Sequence, residues 1–67
     1  MKLYDFDVDC VVTEGGERRE ETVRVQAISE PVAKASAVLK IETEGWKTKT
    51  KAIAKAVRKI GFVKEFV

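Results

Sequence analysis

Polar and apolar residues alternate strictly along the first part of the chain. From residue 4 to residue 12 the even positions are apolar, and Asp5, Asp7 and Asp9 stand between them. Successive side chains of a strand point to opposite faces, so this pattern predicts a strand over about 3–13 with one apolar face. A second alternating run, centred on Val23 and Val25, predicts another strand over about 18–28.

The two runs are joined by Gly15-Gly16, which suits a tight hairpin turn because glycine takes positive φ without steric cost. A turn centred there sets Val8 opposite Val23 and Asp7 opposite Arg24. Apolar side chains then meet apolar ones and acid meets base, which a shift of one residue would destroy. The sequence therefore predicts the register of the hairpin as well as its existence.

A helix over about 30–44 is predicted by the residues that begin and end it. Ser29 is a favourable N-cap, and Pro31 is tolerated in the first turn. Gly45 suits the position after a helix end, where the next residue often packs back on the last turn. One face of this helix carries Val32, Ala35, Ser36 and Leu39, while Val38 and Ile41 lie on the other side. We therefore expect the helix to be covered on two sides.

The last third of the chain gives a mixed pattern. Spacing of the apolar residues predicts a second, shorter helix over about 50–60, followed by a short strand over about 62–67 that adds to the hairpin. However, Lys and Thr alternate over residues 47–51 as in a strand, and early lysines disfavour a helix N-terminus. Residues 46–51 are accordingly either a strand or an extended arm leading into the helix.

These elements together predict a single small α+β domain over residues 1–67. Its sheet is an antiparallel hairpin with a C-terminal strand, packed by the two predicted helices. At 67 residues the chain is near the lower limit for burying its own core, so a homodimer is an open alternative.

The distribution of charge bears on the partner, because acidic and basic residues are concentrated in different segments of the chain. Residues 1–44 carry six bases against ten acids, and residues 45–67 carry seven bases against Glu65 alone, although the net charge is only +2. A concentrated basic segment favours a polyanion or an acidic protein surface as the partner.

The residues needed for catalysis or for metal binding are mostly missing. There is no histidine and one cysteine, Cys10, which falls on the apolar face of the first predicted strand and is interpreted as a small buried hydrophobe. Asp5, Asp7 and Asp9 project in parallel from a strand and cannot converge on one ion, so we interpret them as a solvated outer face. We expect no enzyme activity, metal or cofactor.

The sequence also leads to an expectation about the cellular location of the protein. Acidic residues occur early at the N-terminus, which has no continuous apolar run like that of a signal peptide. No run is long enough to cross a bilayer. We expect a cytoplasmic protein without a membrane role.

The best candidate site is the group of bases in the last third. On the predicted second helix, Lys51, Lys55, Arg58 and Lys59 would project from one side, and Lys47 and Lys49 would extend the charge. Such a row can neutralise several phosphates, so we expect nucleic acid bound without sequence specificity. Trp46 is either a stacking platform for a base or a capping contact on Ile41.

A protein-binding module is the alternative. On the far side of the first predicted helix, Val38 and Ile41, together with Trp46, would make an apolar patch for a partner or for a second copy of the chain. A small adaptor or inhibitor, including the kind that viruses encode, fits this description, as does a homodimeric structural protein with no nucleic-acid role.

Overall fold

A computed structural model describes all 67 residues as a three-stranded antiparallel sheet with one helix packed on one of its faces. The first strand lies in the middle of the sheet, between the second and the third. No helix in the structure combines the length and apolar character needed to cross a lipid bilayer. In chain order the elements are β1 (Lys2–Glu14), β2 (Glu17–Ala27), α1 (Glu30–Glu44), a 3-10 turn (Trp46–Thr48) and β3 (Lys51–Glu65).

The predicted hairpin is confirmed, including its register. Val8 lies opposite Val23 and Asp7 opposite Arg24. Gly15 and Gly16 have φ values of 59° and 84°, a conformation that side chains strongly disfavour and glycine accepts. A turn with both central residues at positive φ matches the twist of the two strands, so local chemistry sets the pairing.

The core lies between the sheet and α1. Its four most buried large side chains, Phe6, Val8, Cys10 and Val12, all come from β1. The helix contributes Ala33, Ala37 and Ile41, which recur every four residues and therefore share one face. Since two of these three are alanines, the helix backbone can approach the sheet closely, and the core is thin.

The predicted helix is confirmed in its bounds, but the prediction about its faces is wrong. The face through Ala33, Ala37 and Ile41 is the covered one, and nothing covers the opposite side, where Leu39 is 67% exposed. Val38 packs on the edge of the core. On hydrophobicity alone, the larger Val32 and Leu39 would be expected in the core. The helix packs closely on the sheet, however, and small side chains allow that close approach.

The second predicted helix is wrong: residues 51–65 form β3, which pairs with the free edge of β1. Residues 62–65 of the short strand predicted over about 62–67 belong to this longer strand, which ends at Glu65. Ala52, Ala54 and Val57 are on the helix side of the sheet, because they pair with Val12, Cys10 and Val8. Ala52 and Ala54 are two residues apart, whereas Ala54 and Val57 are three residues apart because a bulge lies between them. This irregular spacing of apolar residues resembles helical periodicity in the sequence.

Residues 45–50 make the connection between α1 and β3. Gly45 has an ordinary φ of −104°, so the position does not require glycine for its backbone conformation. A side chain there would instead overlap Thr50, whose Cβ would lie 2.5 Å from an added Cβ. Thr50 is 4% exposed, and its N–H donates to the carbonyl oxygen of Gly45 at 3.1 Å. The absence of a side chain at Gly45 lets the chain fold back into β3.

Gly45→Ala therefore tests the connection. We expect the free energy of unfolding to fall by about 1–3 kcal/mol, the usual cost of forcing atoms into an occupied space. Urea unfolding followed by circular dichroism measures the change. Gly61→Ala is the matched control, because an added Cβ there meets no atom within 4 Å. Equal unfolding midpoints for the two variants would contradict this account of Gly45.

Candidate nucleic-acid interface

The bases that are concentrated in the last third of the sequence lie along one edge of the sheet, and the strand next to them is rich in acids. β3 carries five bases against Glu65, whereas β1 carries Lys2 against four acids, and β2 has as many arginines as glutamates. The connection before β3 adds Lys47 and Lys49. One edge of the sheet is therefore basic, and the strand beside it is acidic.

The aspartates of β1 are paired with arginines from both neighbouring strands. Arg24 of β2 donates to the two carboxylate oxygens of Asp7 at 2.9 and 3.3 Å. Arg58 of β3 donates to both oxygens of Asp9, at 2.5 and 3.1 Å, and the Thr22 hydroxyl donates to Asp9 at 2.7 Å. The predicted pair of Asp7 with Arg24 is thus found, and Asp9 is held by both neighbouring strands.

These contacts lower the pKa values of Asp7 and Asp9. The hydrogen bond from Arg58, followed by the one from Thr22, lowers the pKa of Asp9 to about 2. The hydrogen bond from Arg24 lowers the pKa of Asp7 below its ordinary value. Both carboxylates are ionised and satisfied near neutral pH, which supports their interpretation as a solvated outer face.

The lysines, in contrast, have no acidic partner. Six lysines of the last third make no ion pair within the chain. We call this set the basic edge: Lys47, Lys49, Lys51, Lys55, Lys59 and Lys64. Five of them belong to the predicted site. Lys64 was missed because it lies beyond the end of the predicted helix.

The basic edge is not one row on one face. Lys51 pairs with Thr13 and lies on the open face of the sheet, whereas Lys59 pairs with Phe6 and lies on the helix side. Lys55 occupies a bulge, since Ala54 and Ala56 pair with consecutive residues of β1. Arg58 differs from the lysines because Asp9 already neutralises it. The predicted single row is therefore replaced by lysines on both faces of an edge strand.

The free edge of β3 is poorly suited to pairing with another strand. Bulges at Lys55, Ile60 and Val63 interrupt its regular spacing, and edge lysines oppose the approach of a second strand. The N–H of Ala52, the second residue of β3, is covered by a hydrogen bond of 3.0 Å to the Glu42 carboxylate of α1. The edge is thus kept apart from other strands while its ammonium groups stay accessible.

The three residues predicted as a protein-binding patch lie in different surroundings. Ile41 is buried in the core, and Val38 is partly buried against it. Trp46 is 68% exposed, with the Lys47 ammonium 5.7 Å from its ring centre.

Two residue types of frequent catalytic and metal-binding use are rare in this chain, which has one cysteine and no histidine. Cys10 is buried, as the sequence predicts, and burial raises the pKa of its thiol above the ordinary value. No three His, Cys, Asp or Glu side chains lie close enough together to hold a metal ion.

The pairing of Asp9 predicts a loss of stability in acid. Because the folded pKa of about 2 is below the ordinary 3.8, ionised Asp9 stabilises the fold above about pH 4, and this contribution is lost as the pH falls toward 2. We expect Asp9→Asn to show a smaller decrease in urea midpoint between about pH 5 and about pH 2 than the wild type.

Asp5→Asn is the matched control for this test. Asp5 lies on the same face of β1 but makes no ion pair or side-chain hydrogen bond. The control should therefore keep the larger, wild-type decrease. An equal decrease in Asp9→Asn and the wild type would mean that the pairing of Asp9 does not stabilise the fold.

No protein-family model, curated protein or solved structure matches this chain. The functional conclusion therefore depends on the charges, exposure and contacts of its own residues. Of these, the basic edge is a concentration of six lysines without an ion pair in one segment of the chain.

Proposed function

We propose that the protein is a small, non-catalytic binding protein that contacts nucleic acid through the basic edge, without reading its sequence. One observation carries the proposal: six lysines are concentrated on one edge strand and the turn before it, and none is neutralised within the chain. Arg19, Arg24 and Arg58, in contrast, are held by carboxylates. Ammonium groups that no internal acid satisfies are available to phosphates.

The type of base on the edge supports binding without sequence specificity. Lysine is a flexible point charge, whereas bidentate recognition of base edges depends mainly on Arg, Asn and Gln. On β3 the only such residue is Arg58, and both of its donor contacts go to Asp9. The basic edge is therefore suited to the phosphate backbone and has no free group of this kind for the bases.

The helix does not suit insertion into a DNA groove. α1 carries three glutamates against two lysines, and its exposed side presents the apolar Val32 and Leu39. A groove-binding helix presents basic and polar side chains to the duplex. Contact through the sheet edge is the arrangement that the charges favour.

The alternative of a protein partner has less support. Two of its three predicted residues, Val38 and Ile41, are used in packing the fold. A homodimer made by joining two β3 edges is disfavoured by the bulges and lysines of that strand.

Neutralising the basic edge tests the proposal. We expect Lys51→Gln with Lys55→Gln to weaken binding of a labelled 20-nucleotide probe and to reduce the slope of log affinity against log salt by about 1.4–1.8, because two phosphate contacts are lost. Fluorescence anisotropy between about 50 and about 200 mM salt measures both quantities.

The matched control changes the same charge elsewhere. Lys34→Gln with Lys40→Gln removes two exposed lysines from α1 and should leave the affinity and the slope close to wild type. If both double variants lose the same affinity, binding follows net charge and not the basic edge. Absence of binding to single-stranded and duplex probes at the lower salt would overturn the proposal.

A further inference from the structure

We infer that the nucleic acid taken by the basic edge is single-stranded and that its bases stack on Trp46 and Phe62. This inference rests on the proposed function and adds the class of ligand. Its basis is the distribution of aromatic rings. Of the five aromatic side chains, only Phe6 is fully buried, and the most exposed are Trp46 at 68% and Phe62 at 58%. Large rings are thus accessible to a ligand near both ends of the basic strand.

The rings and the ammonium groups of the edge lie side by side. Lys59 Nζ is 4.1 Å from the ring centre of Tyr4, and the Tyr4 ring makes an edge-to-face contact with Phe62 at 6.0 Å. Lys47 lies beside Trp46, and Lys64 lies 5.0 Å from the ring centre of Phe66. All three cation–π contacts of the chain are therefore formed by lysines of the basic edge.

Alternating rings and cations match the chemistry of a single strand. An unpaired strand offers a phosphate and an open base face at each nucleotide, so ammonium groups can track the backbone while aromatic side chains stack on bases. In a duplex the base faces are covered by their neighbours, and only phosphates and groove edges are accessible. Duplex binding would use the lysines and leave Trp46 and Phe62 without a role.

The shape of the molecule is compatible with an extended ligand. The structure measures 44 × 19 × 14 Å. Trp46 precedes β3 and Phe62 lies near its far end, and the strand from Lys51 to Phe62 spans at most roughly 35 Å at a rise of about 3.3 Å per residue. Lys51, Lys55 and Lys59 lie between them in the chain. One single strand running along β3 would meet a ring near each end and lysines in the middle.

The experiment uses the intrinsic fluorescence of Trp46, the only tryptophan. Unlabelled oligo-dT and oligo-U are titrated against the full chain beside inorganic polyphosphate, which carries the charge but no bases. We expect quenching by the oligonucleotides and none by polyphosphate, because only a base can stack on the indole ring. A duplex of equal length should bind more weakly than the single strand and cause little quenching.

Ring-specific variants complete the test with a labelled single strand. Phe62→Leu and Trp46→Leu keep an apolar side chain but remove the ring, and each should reduce affinity by about fivefold or more with an unchanged salt slope. Ile53→Ala is the matched control, since Ile53 is an equally exposed apolar residue of β3 at 68%. It should bind as the wild type does. Because Phe62 contacts Tyr4, circular dichroism checks that its variant is folded, and Trp46→Leu in the exposed turn gives an independent result.

Failure of this inference is distinguishable from failure of the proposed function. Salt-sensitive binding that is equal for single strand, duplex and polyphosphate, without quenching and without an effect of the Leu variants, would overturn the stacking inference and leave the basic edge as a phosphate site. Absence of salt-sensitive binding to every probe would overturn both.

Discussion

β1 is hydrogen-bonded along both of its edges, and the positions of the other elements depend on that double pairing. Along one edge it is paired with β2 from Tyr4 to Glu14, and along the other with β3 from Lys2 to Thr13. Its apolar face supplies Phe6, Val8, Cys10 and Val12 to the core. Since a two-stranded hairpin is at best marginally stable in water, the third strand and the helix together make this sheet a folded domain.

The same strand organises the charge. Its aspartates attract an arginine from each side: Arg24 from β2 and Arg58 from β3. Arginine suits this role because its planar guanidinium can bind both oxygens of a carboxylate. The lysines of β3 have no such partners, so a protein with a small net charge has one strongly basic edge. Pairing with Asp7 and Asp9 thus occupies Arg24 and Arg58, whereas the lysines of β3 stay without an ion pair.

Because the core is thin, many apolar side chains of the protein stay exposed to solvent. Helix α1 touches the sheet through Ala33, Ala37 and Ile41, and a 15-residue helix is too short to cover strands of nearly equal residue number, because a strand rises more than twice as far per residue. Trp46 lies in the turn after α1, Ile53 on the face of the sheet opposite α1 and Phe62 near the end of β3, and all three are exposed. A domain of this size has little stability to spare, so a ligand that binds only the folded state would also stabilise it.

The sequence by itself determined the elements whose signals are local. Strict alternation and Gly15-Gly16 set the hairpin and its register, and Ser29 with Pro31 placed the start of α1 correctly. Cys10 was predicted to be buried because it falls on the apolar side of that alternation. In the candidate site, the sequence identified five of the six lysines of the basic edge, since concentration of charge along the chain requires no knowledge of the fold.

Only the tertiary structure decided that residues 51–65 form a strand. The free edge of β1 provides a row of backbone hydrogen-bond partners, which the local pattern does not reveal, and bulges fit an irregular apolar spacing to that edge. This outcome distributes the lysines over two faces, brings Arg58 to Asp9 and sets Phe62 beside Tyr4. Close packing likewise selected the alanine face of α1 in preference to the face with Val32 and Leu39. Long-range pairing and close packing join residues far apart in the chain, so they act beyond the reach of local periodicity.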